Sequence, residues 1–341
     1  MRLGMHTYSL YHHGVAEDWA GFQLPWPRQM DIWQLMDYMV ELGLEVLHLD
    51  DKAFDSMDAA HFSRVRDYAR ARNLYLEYNF ALPSTKYDSS VQHDIAEGID
   101  IAQAIGADVA KIGMNICRPQ PVAASKFHPA VMQQLEGVVE KLQQTTSQAE
   151  KAGVKLAVEN HTDAFSEEVI WVLDQVNHPF VGACIDTVNG LHVTENPLTA
   201  VENLAPRAFT NHFRDNKIII KPYGFKLTGA PVGEGDLDMP RAYELIHHNP
   251  DVNRINIELD LQCPLDNMQE ALRIERQALQ KSVRYCRELI DFNLTRRTGK
   301  ISHKALRHKD KMIIKKNFVP WCLGGKNLLL DKSFANMMRF L

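Results

Sequence analysis

The sequence predicts a (β/α)8 TIM barrel, an α/β fold of eight parallel strands, each followed by a helix. Three observations carry this. Short, β-rich apolar runs alternate with longer stretches of helical period, eight times over roughly 290 residues. The runs are apolar at successive positions rather than alternate ones, as in strands covered on both faces. No GxGxxG follows the first run, so an open dinucleotide-binding sheet has little support. A chain of 341 residues is ample for one such barrel.

The strand candidates are 2–9, 44–50, 74–80, 108–114, 155–161, 181–187, 208–215 and 254–260. Between them lie the helices. Residues 30–43 place Ile32, Leu35, Met36, Met39 and Val40 on one face and stop at Gly43. Segments 58–73, 92–107 and 129–153 repeat the pattern and stop at Asn73, Gly106 and Gly153. Those residue types take the left-handed conformation that ends a helix. Segments 166–176, 197–204, 240–248 and 268–290 complete the set.

Composition sets the outer limits. With 45% hydrophobic and 24% charged residues the chain is an ordinary globular one, and no run reaches the length of a membrane span. Its formal charge of −5 gives no pull toward nucleic acid or membrane. The five cysteines, 117, 184, 263, 286 and 322, form no CxxC pair. A disulfide framework and a cysteine-based zinc site are therefore not expected, and a cytoplasmic location is. After Asp291 the character changes. Residues 292–341 hold 12 Lys+Arg against 2 Asp+Glu, leaving the first 291 residues with 26 basic and 41 acidic side chains, a net of −15. The division expected is a barrel over 1–291 and a basic C-terminal extension over 292–341, disordered or loosely docked.

The stretch KLAVENHTD shows where chemistry enters. An apolar strand turns abruptly to Glu159 and His161. The next runs do the same: Asp186, then His212, Arg214 and Asp215, then Glu258 and Asp260. In a barrel such ends converge on one face. Three carboxylates brought together repel, and one of them must take a proton unless a cation joins them. The set Glu159, Asp186, His212 and Glu258 is thus a metal-ligand candidate. Its oxygen and nitrogen donors suit Mn, Mg or Co, with Zn less favoured. Spacings of 27, 26 and 46 residues fit one ligand per βα unit, with an insertion in the last interval.

These motifs give the chain a relative. AVEN (157–160), CIDT (184–187), NHFRD (211–215), VGEGDLD (232–238) and NIELD (256–260) resemble the xylose-isomerase-like superfamily of sugar isomerases and epimerases. The resemblance covers about residues 2–290. It implies a divalent metal on those four ligands, an enediolate stabilised by that metal, and proton transfer by Glu159 and Glu258 as the catalytic pair. The reaction expected is isomerisation or epimerisation of a small keto-sugar or sugar acid. Two positions depart from the epimerase pattern: Asn189 and Asn79 stand where many relatives have His. The stretches MRLGMHTYSL, ENHTDAFSEE and TNHFRD resemble a lyase branch that decarboxylates 3-oxo sugar acids, so a lyase (decarboxylating, or dehydrating a keto-polyol) is the alternative.

Around the ligands, His6, Lys111, His161, Asn189 and Arg214 are candidate substrate contacts. Lys111 and Arg214 suit an anionic carbohydrate, unless they are spent pairing with the surplus acids. The loop 10–30, rich in Trp and His, is a candidate roof or interface. The superfamily's DNA-repair branch needs more His and Asp ligands and a basic face, which an acidic barrel lacks. A small-molecule partner is expected, with no nucleic acid and no membrane; a homo-oligomer is compatible with everything above.

Overall fold

The computed structural model describes residues 1–18, 23–84, 91–119 and 124–298. Eight parallel strands form one sheet in the order β10-β1-β2-β3-β4-β5-β6-β7. They are β1 (Arg2–His6), β2 (Val46–Leu49), β3 (Tyr75–Ala81), β4 (Val109–Gly113), β5 (Lys155–Glu159), β6 (Val181–Asp186), β7 (Ala208–His212) and β10 (Arg254–Ile257). The sheet nearly closes. A single parallel bridge, Phe213 with Ile257, joins the β7 and β10 ends, and the Phe213 amide donates to the Asn256 carbonyl at 2.7 Å. This is a (β/α)8 TIM barrel, as expected.

The helices follow the predicted segments: α1 (Ile32–Glu41), α2 (Ala59–Ala71), α3 (Ile95–Ile105), α4 (Pro129–Ala152), α5 (Ser166–Val176), α6 (Pro197–Leu204), α7 (Met239–His247) and α8 (Met268–Thr298). Asp31, Asp58, Asp94, Asn196 and Asp238 start five of them, each accepting a first-turn amide on its side chain. Gly43, Asn73, Gly106, Gly153 and Asn177 all take positive φ at helix ends. The apolar core fills the layer between sheet and helices, with Ile32, Leu35, Met36, Met39, Leu47 and Leu49 among its fully buried members.

Four details differ from the sequence reading. Val40 is exposed, because the buried stripe of α1 is only as wide as Ile32, Leu35, Met36 and Met39. Several strands end sooner than read: His161 lies beyond β5, and Glu258 and Asp260 lie beyond β10. Asp215 does not end β7 but opens an antiparallel hairpin, β8 (Asp215–Ile220) and β9 (Phe225–Ala230). That hairpin is the insertion between His212 and Glu258. Lastly, α8 runs on to Thr298. The basic extension from 299 onward lies outside the described residues. The four described cysteines are unpaired, and no described helix is long and apolar enough to cross a membrane.

The lumen of the barrel is unusual. Such interiors are commonly stacked with branched apolar residues. Here the strands send in His48, Glu77, Lys111, Thr210, Arg254 and Asn256, all buried. The polar lumen leads directly up to the site.

Candidate active site

The structure assembles the four ligand candidates at the C-terminal ends of the strands. His212 is the hub. Its Nδ1 stands 2.8 Å from Glu159 Oε1 and 2.9 Å from Glu258 Oε2. Asp186, His212 and Glu258 each offer a donor atom, all within 4.8 Å of one another. Glu159 joins them through His212.

Local chemistry explains each placement. Asn160, next to Glu159, clips β5 to β6: its amide donates to the Asp186 carbonyl at 3.0 Å and accepts the Asp186 N–H at 2.8 Å. Asn211, next to His212, does the same at the seam, donating to the Arg254 carbonyl and accepting the Asn256 N–H. Asp186 Oδ1 accepts the amides of Val188 and Asn189 at 2.7 and 2.8 Å. Its other oxygen, Oδ2, is buried and makes no hydrogen bond, with the Arg214 guanidinium beside it as an ion pair at 3.4 Å.

Two basic side chains neutralise part of this charge. Lys111 Nζ lies 2.6 Å from Glu159 Oε2. Arg214 Nη1 lies 3.0 Å from Glu258 Oε1 and 3.4 Å from Asp186 Oδ2, and Nη2 reaches Asp260 at 3.3 Å. Both cations are thus paired with surplus acids, the alternative weighed for them from the sequence. Burial opposes ionisation of Glu159, but Lys111 and His212 hold its carboxyl well below the ordinary range. Burial likewise opposes Glu258, and His212 and Arg214 keep it low. For Asp186 burial prevails over Arg214 and pushes the carboxyl up to about 7. Burial also works against protonated His212, yet Cys184, Glu258 and Glu159 raise it well above the usual imidazole range.

The remaining candidates ring the centre. His6 packs on His212, ring centroids 4.7 Å apart, and its Nδ1 is 3.7 Å from Glu258. Because that nitrogen accepts the Tyr8 amide, the ring proton sits on Nε2, which is buried without a partner. Burial, seconded by His212, lowers His6 to about 3. His161 is lowered to about 4, again chiefly by desolvation. Asn189 keeps both side-chain atoms buried and unpartnered beside Asp186. A cleft at the mouth is lined by Lys111 and His161 with Asn79, Asn115, Glu17 and Asp18. The loop over the mouth therefore contributes carboxylates. Its His12 and His13 turn away and bind Glu275 of α8 at 2.7 and 2.8 Å.

Three groups beside the ligands were not picked out as site residues from the sequence. His48 and Glu77 are polar interruptions of early apolar strands, the same signal that marked the late ones. Cys184, two residues before Asp186 on β6, brings a thiol up to Glu159 and His212. The CIDT motif held it in view, but without a second cysteine it carried no metal signal.

The residues present fit a divalent cation. Three carboxylates and an imidazole share one buried space, burial pushes the Asp186 carboxyl up, and Asp186 Oδ2 makes no hydrogen bond.

A family model described as a xylose isomerase-like TIM barrel matches residues 30–289. The chain belongs to that family. Among xylose isomerase-like proteins it is similar to the 3-oxo-isoapionate decarboxylase of Pectobacterium atrosepticum, with 20% identity over 260 residues, 75% of this chain and 83% of the relative. In structure it is similar to the IOLI protein with a bound zinc atom, at a TM-score of 0.58 and 13% identity over 83% of this chain and 98% of the other. It is also similar to a D-psicose 3-epimerase with D-tagatose from Clostridium cellulolyticum H10, at 0.59 and 12% over 85% and 99%.

Proposed function

We propose that the chain is a divalent-metal-dependent isomerase or epimerase of a small keto-sugar or sugar acid, using Glu159 and Glu258 as proton carriers. The observation that carries this is the position of His212 Nδ1 within hydrogen-bond distance of both glutamates, with Asp186 Oδ2 beside them making no hydrogen bond. Glu159, Asp186, His212 and Glu258 would hold the ion. Bound there, the ion supplies Lewis-acid stabilisation of negative charge on substrate oxygens. Mn, Mg and Co suit the donor set, and the thiol of Cys184 adds a softer donor that zinc accepts.

The chain's own residues supply the rest. Glu159 and Glu258, ionised and at the ends of different strands, take a proton from one carbon and return it there or to its neighbour. His6 and His161, both neutral at pH 7, donate to or accept from hydroxyls. Carboxylates turned toward a cation no longer occupy Lys111 and Arg214 fully. Both cationic heads can then bond substrate oxygens, which favours a carbohydrate bearing a carboxylate. The cleft lined by Asn79, Asn115 and His161 presents amide and imidazole groups that can hydrogen-bond substrate hydroxyls.

Decarboxylation of a 3-oxo sugar acid is the second reading, favoured by the similarity to the decarboxylase relative over 83% of its length. It needs the same stabilised enolate but forms it by releasing CO2 rather than a proton, after which the carbon takes a proton from one of the carboxyl groups or from solvent. One experiment separates them: keto-sugars and 3-oxo sugar acids incubated in D2O with added Mn, Mg, Co or Zn, followed by NMR and CO2 release. Deuterium uptake at carbon without loss of CO2 supports the isomerase; stoichiometric CO2 supports the lyase. Turnover that survives exhaustive chelation removes the metal from both.

A further inference from the structure

His212 has two ring nitrogens with different duties. Nδ1 faces Glu159 and Glu258. Nε2 faces Nδ1 of His48 at 3.3 Å. A neutral imidazole that gives the Nδ1 lone pair to a cation must carry its proton on Nε2, and a buried N–H needs an acceptor. His48 Nδ1 stands where that acceptor must be.

His48 is fully buried on β2, and Glu77 Oε2 on β3 lies 3.2 Å from the same Nδ1. That nitrogen cannot donate to Glu77 while it accepts from His212, so Glu77 borders the ring without a hydrogen bond to it. Glu77 accepts from Thr210 Oγ1 at 2.7 Å, Asn256 Nδ2 at 2.8 Å and Arg254 Nη1 at 2.9 Å. Arg254 in turn grips both oxygens of Asp108 at 2.8 and 2.7 Å. Asp108 is half exposed at the opposite end of the barrel. A continuous polar column thus runs down the lumen from His212 to the far surface. Burying Glu77 and Arg254 costs more than an apolar plug of similar volume would. No step of the proposed chemistry uses either of them.

We infer that His48, at the head of the Glu77–Arg254–Asp108 column, is a positioning residue that fixes the ring orientation and tautomer of His212 for cation binding. This rests on the metal reading above. Outer partners of ligating histidines commonly govern affinity by 10- to 100-fold.

The test uses the full chain with His48→Leu, His48→Gln and His48→Phe. Zn and Mn affinities are measured by competition with a chromophoric chelator. The His212 tautomer is read by 15N NMR in the diamagnetic zinc form, and thermal unfolding reports folding. His48→Leu is expected to weaken binding by roughly 10- to 100-fold and to change the His212 15N pattern. His48→Gln, whose side-chain oxygen accepts, is expected to recover most of the loss. A folded leucine variant that binds as tightly as wild type overturns the inference, as does a glutamine variant no better than leucine. If His48→Leu does not fold, His48→Phe, which keeps a ring and removes the acceptor, decides: about tenfold weaker binding supports the inference, and unchanged binding overturns it. A wild-type chain that binds neither ion overturns the metal reading and the inference together, whereas binding that ignores these substitutions overturns the inference alone.

Discussion

Asp186 shows how one side chain divides its work. One oxygen is fixed by the amides of Val188 and Asn189, so the other is aimed at the site without moving parts. Asn189, supplying one of those amides, keeps its own carboxamide unsatisfied. A buried amide without partners is costly, and a substrate hydroxyl would relieve it. Asn189→Ala is therefore expected to raise KM by about tenfold, near 1.4 kcal/mol, with ion affinity unchanged because the backbone amides remain. Steady-state kinetics beside chelator titration checks this. Arg214 belongs to the same scale. Arg214→Met is expected to depress kcat/KM on carboxylated substrates far more than on neutral ketoses, and an equal loss on both would remove the carboxylate-handle idea. Which residues meet at the mouth was legible from their type and spacing. The ion pairs of Lys111 and Arg214 were not, because pairing depends on side-chain geometry that a strand pattern does not encode.

At the scale of elements, the hairpin and the loop after it make one device. Asp215 opens β8, and its carboxylate accepts the amides of Gly233 and Gly235 at 2.9 Å each and of Leu237 at 3.2 Å. A Cβ at Gly235 would meet Asp215 Oδ1 at 2.1 Å, and Gly233 has a φ of +88°. The motifs NHFRD and VGEGDLD are thus two halves of one lock. Asp215→Ala is expected to release residues 231–238, seen as faster amide exchange there with the rest of the barrel unaltered. The hairpin was hidden in the sequence because the apolar run 218–220 follows a core strand so closely that it reads as its tail. At its far end Ile220 and Tyr223 are exposed, so burial did not shape its pattern.

A second element-scale lock joins the loop after β2 to the start of α3. Asp51 takes the Tyr78 hydroxyl at 2.6 Å and His93 Nε2 at 2.5 Å. The hydrogen bond to Asp51, against burial and with help from Glu97, raises His93 to about 9 from its ordinary 6.5. A raised imidazole stabilises the fold fully below the unfolded value, and that contribution disappears as pH rises through about 9. Unfolding free energy is expected to drop by on the order of 1–2 kcal/mol between pH 6.5 and 9.5. His93→Gln is expected to flatten that part of the profile in denaturant titrations.

For the whole molecule, the eightfold alternation was readable because every barrel strand is buried on both faces, which makes the strands apolar and short. The polar column was not, since Glu77 in LYLEYNF and His48 in VLHLD each look like an isolated lapse until the barrel is closed around them. Among the described residues, the buried core lies between Leu3 and Ile290. A chain ending after Thr298 is accordingly expected to keep the wild-type melting temperature and its ion affinity, as calorimetry would show; a large drop would assign the basic extension a role in the fold.

Closure of the sheet sets a schedule for synthesis. β1 pairs on one side with β2 and on the other with β10, Arg2 opposite Arg254. Until the last strand leaves the ribosome, the first one displays a naked edge, open to any passing β-partner. The nascent chain must carry that hazard from the emergence of β1 until Arg254–Ile257 has emerged. Slow stretches of messenger late in the gene would lengthen the exposure, and holding chaperones that cover the N-terminal strand would shorten it.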